Sequence, residues 1–282
     1  MFKLKIGNLL TGNSISSKIK RANKHHNGNV KVDRVIYGGG EEQYYLLFTP
    51  KEVTKKNVLF FVHGGEFTTG NPMQYRFIGH HFANQGYITV MPGYRHAPMN
   101  VYPSQLDDVF KVLTGAIKKI KERFDSDYKI ILAGKSSGAY LASMLAYHKI
   151  KQLENDIDPQ IFSGFLSISG PIDFDGCKND QAKEMLENFI GGHYNWNKAN
   201  PIAQLDGKEN IPVLCLHGAK DEIVNTQSSS LFVKKINNGS RSIAEIFIEE
   251  NKYNANHLGI DIFLENLTST THLNNWLEKI EN

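Results

Sequence analysis

The stretch Lys129-Ile130-Ile131-Leu132-Ala133-Gly134-Lys135-Ser136-Ser137-Gly138 decides the fold of this chain. An apolar run typical of a buried strand leads into a Gly-x-Ser-x-Gly pattern, and small residues with helical spacing follow it. The pattern predicts a sharp strand-to-helix turn with Ser136 at its tip. The flanking glycines leave room for this turn, and the Ser137 amide would begin the helix.

Apolar runs along the rest of the chain alternate with helical patterns, which is typical of a mostly parallel sheet covered by helices on both faces. Two early runs, Val30 to Tyr37 and Gln43 to Phe48, flank a triple glycine and predict a hairpin. We therefore expect a twisted sheet of about eight strands. The six later strands are predicted at Val58 to Val62, Tyr87 to Met91, Lys129 to Ala133, Phe162 to Ile168, Ile211 to Leu216 and Ser242 to Ile248.

The division of the chain into domains follows from what lies between these runs. No internal repeat and no Pro/Ser/Gly-rich linker is present, which predicts one domain over residues 1–282. Residues 1–29 form a polar, basic leader that could serve as a cap. Residues 173–205 form the long excursion between strands, and its apolar residues Met185, Leu186, Phe189 and Ile190 have helical spacing. This excursion is predicted to be a lid or a pocket wall.

The composition excludes several classes of protein. With 40% hydrophobic and 22% charged residues among 282, the chain is typical of a globular enzyme. Its 32 basic and 29 acidic residues are spread evenly, so nucleic acid is not predicted as a partner. Cys177 and Cys215 lack metal-ligand spacing, and the triple glycine lacks a phosphate-loop ending, so we expect no disulfide, no metal and no cofactor.

The sequence also bears on location and assembly. Polar residues interrupt the N-terminal apolar positions before the core of a signal peptide can form, and no apolar run reaches the ~18 residues of a membrane span. We therefore expect a cytoplasmic protein without stable membrane insertion. The oligomeric state stays open, with a homodimer among the alternatives.

A catalytic serine needs two partners, because its hydroxyl is a poor nucleophile near neutral pH. A neutral imidazole must take its proton, and a carboxylate must orient that imidazole. In a parallel α/β scaffold the acid and then the histidine follow the serine, each after a later strand. Asp221 follows the predicted strand that ends at Leu216, and His257 follows the next one. The predicted triad is therefore Ser136, Asp221 and His257.

Each partner has a competitor nearby. Glu222 adjoins Asp221, but an acidic pair at the start of a helix commonly compensates the helix dipole. His272 lies in the terminal amphipathic pattern Leu267 to Leu277, where a solvated surface histidine is the ordinary interpretation. Asp221 and the earlier histidine are therefore favoured. His217 is interpreted as a support for the backbone of the turn.

The segment His63-Gly64-Gly65-Glu66-Phe67 follows the predicted strand Val58 to Val62. Acyl transfer develops a negative charge on the former carbonyl oxygen, and backbone donors must already point at it. Glycines let amides approach a substrate without a Cβ in the way. We therefore predict an oxyanion hole in which Gly65, Glu66 and Ser137 donate their amides and Gly64 shapes the turn.

Two further motifs, Gly93-Tyr94-Arg95-His96-Ala97-Pro98 and Tyr102-Pro103-Ser104-Gln105-Leu106-Asp107-Asp108-Val109, complete the pattern. With the serine turn, the chain resembles the α/β-hydrolase superfamily from Val30 to its C-terminus. Within it, the chain is similar to esterases related to hormone-sensitive lipase and to kynurenine-formamidase-like carboxylesterases. The resemblance implies an α/β-hydrolase fold with a small cap. It also implies that Tyr94, Arg95 and Asp108 support the floor of the site.

The chain departs from the family pattern at three positions. Glu66 replaces the third glycine of the lipase-like motif, so its carboxylate must point away from the developing oxyanion. Lys135 and Ser137 stand beside the serine where relatives often carry acidic, histidine or alanine residues. We expect Lys135 to bear on the substrate charge that the site prefers.

The sequence favours a serine carboxylesterase that hydrolyses a small-molecule ester through an acyl-enzyme on Ser136. The nearest alternative is amide or peptide hydrolysis by the same triad, as in an arylformamidase. An oligopeptidase is disfavoured because the ~57 residues before Val58 cannot form a propeller. A non-catalytic binding protein on a hydrolase fold is the alternative from another class.

Overall fold

The fold is a single twisted sheet between two layers of helices. The computed structural model describes Asn23 and residues 29–124, 126–177, 180–192, 195–239, 244–250, 256–257, 263 and 268–282. Almost all of the predicted leader therefore lies outside the described residues. Within the described part, the strands are β1 Val30–Ile36, β2 Tyr44–Pro50, β3 Asn57–Val62, β4 Ile88–Pro92, β5 Lys129–Lys135, β6 Phe162–Ile168, β7 Val213–Gly218 and β8 Ala244–Glu249.

The helices of the described residues connect these strands. They are α1 Arg76–Ala83, α2 Ser104–Phe124, α3 Ser137–Tyr147, α4 Lys149–Glu154, α5 Asp180–Ile190, α6 Trp196–Ala199, α7 Thr226–Gly239 and α8 Thr268–Glu281, with short 3₁₀ turns at Pro159–Ile161, Phe174–Gly176 and Pro201–Gln204. None of these helices is long and apolar enough to cross a membrane.

The strand order is β1-β2-β4-β3-β5-β6-β7-β8. β1 and β2 form the predicted antiparallel hairpin, β2 pairs antiparallel with β4, and every other neighbouring pair is parallel. The expectation of an eight-stranded, mostly parallel sheet with helices on both faces is confirmed. The assignment of residues 1–282 to one domain stays a prediction.

Alternation along each strand supplies two apolar cores. On β5, Ile130 and Leu132 pack in one core and Ile131 and Ala133 in the other, because successive side chains of a strand point to opposite faces. The first core includes apolar residues of α2, α3, α5 and α7, and the second includes those of α1 and α8. Both faces of the sheet are therefore covered, and the loops at the strand ends remain to form a site.

The predicted bounds differ from the structure most at β7. The strand begins at Val213, two residues later than predicted, because Pro212 has no N–H to donate to a neighbouring strand. It also continues through His217 to Gly218, which the sequence assigned to the turn. His217 is consequently a strand residue whose side chain has a fixed direction.

Candidate active site

Ser136 lies at the junction of β5 and α3, as the sequence predicts. Its backbone has φ 52° and ψ −125°, a left-handed φ that strains a residue with a Cβ. Its N–H donates to Ile168 O of β6 at 2.8 Å, and its carbonyl accepts from Ala139 N at 2.9 Å. The strained turn is thus held by hydrogen bonds on both sides, and the Ser136 side chain is presented at the carboxyl end of the sheet.

Two glycines make this turn sterically feasible. A Cβ on Gly138 would lie 2.1 Å from Val62 O and 2.4 Å from His63 O. A Cβ on Gly134 would lie 2.3 Å from Gly138 O. No real Cβ tolerates such distances, so the flanking glycines of the serine turn are needed for the close approach of α3 to the backbone of β3.

The segment after β3 lies against the serine turn. A Cβ on Gly64 would lie 2.9 Å from Lys135 O and 3.3 Å from Ser136 Cβ, so a glycine is needed there too. Gly65, Glu66 and Phe67 follow with φ of 145°, 53° and 62°. The sequence prediction named the glycines but not the left-handed conformation of Glu66 and Phe67.

The carbonyls of this segment reveal the direction of its amides. Gly65 O accepts from Thr68 N and Thr69 N, each at 2.9 Å, inside the turn. Gly64 O lies 2.9 Å from His63 Nδ1, which must carry the proton because a carbonyl only accepts. A trans peptide directs its C=O and N–H oppositely, so the Gly65 and Glu66 amides point away from these partners. The Glu66 side chain itself is exposed.

The His63 ring stabilises this segment without being charged. It stacks on Tyr94 with ring centroids 4.5 Å apart and on Tyr75 at 5.9 Å. Burial lowers the pKa of His63 to about 4, so the ring is neutral near pH 7. His63 is therefore a structural residue, a role that the sequence motif did not predict.

Asp221 and His257 come together although they are far apart in sequence. His257 Nδ1 donates to Asp221 Oδ2 at 2.8 Å. The Asp221 side chain is fully buried and that of His257 is 15% exposed, so the imidazole alone reaches the surface of the site. The competing residues are elsewhere: Glu222 is exposed, and His272 stacks on Phe247 with centroids 4.0 Å apart.

The charges of this pair are set by their surroundings. Burial alone would raise the pKa of Asp221, but hydrogen bonds from His217 and His257 outweigh it and hold the pKa well below its ordinary value. Burial lowers the pKa of His257, and the positive charge of Lys135 lowers it further, against the opposing effect of Asp221. The acid is therefore ionised and the imidazole is neutral near pH 7, as a general base requires.

Lys135 also connects the two halves of the site. It is the last residue of β5 and directly precedes Ser136, yet its charge acts on the His257 ring. The serine turn, the segment after β3 and the Asp221–His257 pair all lie at the carboxyl-end edge of the parallel strands. Parallel α/β sheets commonly bind their ligands at this edge.

His217 is the residue whose role the sequence understated. Its Nε2 lies 2.8 Å from Val224 O, which agrees with the expected support of the turn, but also 3.2 Å from Asp221 Oδ2. Its Nδ1 lies 2.8 Å from Ser229 Oγ. The signal that could have found it is a histidine four residues before the candidate acid, at the end of a buried strand.

The three residues that the family resemblance implies as a floor make hydrogen bonds around the segment after β4. Tyr94 OH donates to His63 O at 3.0 Å. Asp108 accepts from the Arg95 backbone N–H at 2.9 Å and from Arg95 Nε at 2.8 Å, and its other oxygen accepts from Gln43 Nε2 at 3.0 Å. Tyr94 therefore joins the segment after β4 to the base of the segment after β3, and Asp108 joins it to α2 and to Gln43.

The predicted excursion packs on the same region. Its helix α5 places Phe189 against Phe67, with ring centroids 3.8 Å apart and planes 13° from parallel. Phe189 O accepts from Tyr102 N at 2.8 Å, and Phe67 O accepts from Ala97 N at 2.9 Å. The excursion therefore buttresses the segment after β3, and its role as a lid or a pocket wall stays a prediction.

The sheet order, the strand-turn-helix around Ser136 and the placement of Asp221 and His257 define an α/β-hydrolase fold. The sequence pattern of the BD-FAE family matches residues 46–236, well over half of the chain. The chain belongs to the BD-FAE family. The resemblance to the α/β-hydrolase superfamily that the motifs indicate is thereby confirmed.

Individual relatives agree with this assignment. The chain is 27% identical over 204 residues to a probable carboxylic ester hydrolase, LipM, of Mycobacterium tuberculosis, which covers 65% of the chain and 46% of LipM. It is 24% identical over 235 residues to esterase LipC of the same organism, covering 77% of the chain and 58% of LipC. The chain thus spans about half the length of these curated relatives.

Solved structures agree on the fold. The structure of esterase B from Lactobacillus rhamnosis superposes with a TM-score of 0.77 and 16% identity, over 96% of this chain and 93% of that one. At this identity the likeness establishes the shared α/β-hydrolase fold.

Proposed function

We propose that this chain is a serine carboxylesterase that hydrolyses small-molecule carboxylic esters through an acyl-enzyme on Ser136. The observation that carries the proposal is that a strained serine turn and a hydrogen-bonded Asp221–His257 pair lie at the same edge of the sheet. The ester hydrolases among its relatives support the choice of ester over other substrates.

The first half of the reaction forms the acyl-enzyme. His257 Nε2 accepts the Ser136 Oγ proton as Oγ attacks the ester carbonyl carbon, and Asp221 stabilises the resulting imidazolium. The amides of Gly65, Glu66 and Ser137 donate to the oxyanion, since the first two point away from their own turn and the third begins α3. His257 then returns the proton to the leaving alcohol as the C–O bond breaks.

The second half of the reaction releases the carboxylic acid product. Water gives a proton to His257 Nε2 and attacks the acyl carbon, and collapse of the second tetrahedral intermediate returns that proton to Ser136 Oγ. No redox change and no co-reactant other than water is needed. The neutral His257 in the resting site suits both steps, because each begins with proton abstraction.

The test is Ser136→Ala, assayed with p-nitrophenyl esters of increasing acyl length. We expect kcat to fall on the order of 10⁴-fold or more with unchanged unfolding behaviour. Ser230→Ala, on the exposed face of α7, is the matched control and should turn over normally. A fluorophosphonate should label Ser136 alone, as located by peptide mass spectrometry.

Three outcomes would contradict the proposal. Ester hydrolysis by Ser136→Ala at the rate of the unaltered protein would exclude the acyl-enzyme on this residue. Faster turnover of N-formylkynurenine or peptide anilides than of any ester would assign the same site to amide hydrolysis, and absence of labelling and turnover would favour a binding protein.

A further inference from the structure

His217 shares a carboxylate oxygen with His257. The side chain is fully buried on β7, and its Nε2 lies 2.8 Å from Val224 O and 3.2 Å from Asp221 Oδ2. A carbonyl oxygen only accepts, so Nε2 carries a proton. This N–H donates to the Val224 carbonyl, and Asp221 Oδ2 lies 3.2 Å from the same nitrogen.

Ser229 fixes the other side of the His217 ring. Its Oγ, also fully buried on α7, lies 2.8 Å from His217 Nδ1. Both ring nitrogens therefore have partners, and the imidazole cannot rotate without breaking a buried hydrogen bond. The position of Nε2 relative to Asp221 is consequently determined by α7, an element that provides no residue of the triad.

Asp221 is surrounded by donors on both oxygens. Oδ1 accepts from Ile223 N at 2.9 Å and Val224 N at 2.8 Å. Oδ2 accepts from His257 Nδ1 at 2.8 Å and lies 3.2 Å from His217 Nε2. Each donor restrains the carboxylate and draws charge from it, so fewer donors would leave more negative charge facing His257.

We propose that His217, held by Ser229, is a positioning residue that aligns Asp221 for His257 and limits how strongly Asp221 favours the protonated form of His257. This inference deepens the proposed serine hydrolase and rests on it. The His217 side chain is fully buried and acts on His257 chiefly through the carboxylate of Asp221.

The charged and titratable groups around the pair are consistent with this role. The charge of Lys135 at the end of β5 acts on His257, His217 on β7 lies 3.2 Å from Asp221 Oδ2, and Asp221 adds to the burial that raises the pKa of the Cys177 thiol. Lys135 and His217 both lower the pKa of His257, and Asp221 opposes them. Removing His217 as a donor should therefore raise the pKa of His257.

The test compares His217→Met with His217→Gln. The two side chains have similar size, but only Gln keeps an N–H near the position of Nε2. For His217→Met we expect the acidic midpoint of kcat/KM to move up by about 0.5 to 1 pH unit. We also expect kcat to fall about tenfold with KM unchanged. For His217→Gln we expect the midpoint and kcat to lie close to those of the unaltered protein. The control His272→Gln removes an exposed histidine, and its kcat/KM should have the same acidic midpoint as that of the unaltered protein.

A merely structural role would give a different result. Then His217→Met and His217→Gln would lower stability while both kept the original pH midpoint, and the inference would be overturned. A shift of the same size in both variants would overturn it as well, because the donor would not be the cause.

A substrate-independent measurement accompanies the kinetics. The downfield proton NMR signal of His257 Nδ1 should shift in His217→Met and return in His217→Gln. If His217→Met does not fold, Ser229→Ala decides: a smaller upward shift of the same midpoint supports the inference, and an unchanged midpoint with an unchanged Nδ1 proton overturns it. Turnover by Ser136→Ala would refute the proposed function, whereas an inactive Ser136→Ala with a normally titrating His217→Met would refute only the role of His217.

Discussion

Replacing Gly138 by alanine tests the steric basis of the serine turn. The added Cβ would lie 2.1 Å from Val62 O and 2.4 Å from His63 O, both backbone atoms. Val62 lies in β3, which is paired with β4 on one side and β5 on the other, so these carbonyls cannot move alone. The helix must therefore shift by roughly 1 Å, which costs about 3 kcal/mol as an overpacked core does.

Alanine also favours helix formation by about 1 kcal/mol over glycine, so the expected net loss is about 2 kcal/mol. For a chain of this size that lowers Tm by about 4 to 8 °C. Gly115→Ala is the matched control, because it is in the exposed interior of α2 and its Cβ would meet nothing within 4 Å. That variant should gain about 1 kcal/mol from the same change in helix propensity.

Thermal and urea unfolding of both variants measure these differences. The shift of α3 also moves Ser136 relative to the segment after β3, so kcat of Gly138→Ala on a p-nitrophenyl ester should fall on the order of 10²-fold. If Gly138→Ala has the same Tm and urea midpoint as Gly115→Ala, or keeps the kcat of the unaltered protein, then the turn does not require the close approach of α3 to β3.

Two further predictions concern the base and the wall of the site. Burial and the charge of Lys135 lower the pKa of His257, and the base acts in its unprotonated form. We therefore expect kcat/KM, measured in a series of buffers, to rise with pH around a midpoint below about 6.5. A midpoint above that value would contradict the assignment of His257 as the base. Phe189→Ala should lose about 3 to 5 kcal/mol in urea unfolding and lower kcat by releasing Phe67. The control is Phe232→Ala, since Phe232 is equally buried and packs against Tyr147 and Phe165. It should lose a similar free energy of unfolding and retain kcat. Equal kcat in Phe189→Ala and Phe232→Ala would contradict the role of Phe189 as a buttress of the segment after β3.

Much of the candidate site was predictable because its signals are local. The serine turn is written in contiguous residues, since only small neighbours permit a left-handed Ser136 between a strand and a helix. The order of acid and base followed from the rule that sites on parallel sheets lie at the carboxyl ends of strands. Asp221 and His257 were placed by that rule, and they are hydrogen-bonded in the structure.

The sequence was least informative where one local pattern fits two structures. His217 lies just before a turn and contacts its Val224 carbonyl, and pairing with β8 also extends β7 through His217. Glu66 and Phe67 adopt left-handed φ angles that their residue types do not predict. Their conformation is imposed by hydrogen bonds and by the stacking of Phe67 on Phe189, more than a hundred positions along the chain.

The sequence by itself determined the alternation of strands and helices, the serine turn and the order of the proposed triad, because hydrophobic period and backbone sterics act among neighbouring residues. Only the tertiary structure decided that Asp221 is shared by two histidines, that Ser229 holds one of them, and that α5 supports the segment after β3. Those contacts join residues from separate elements, and their distances depend on how the sheet brings its strand ends together.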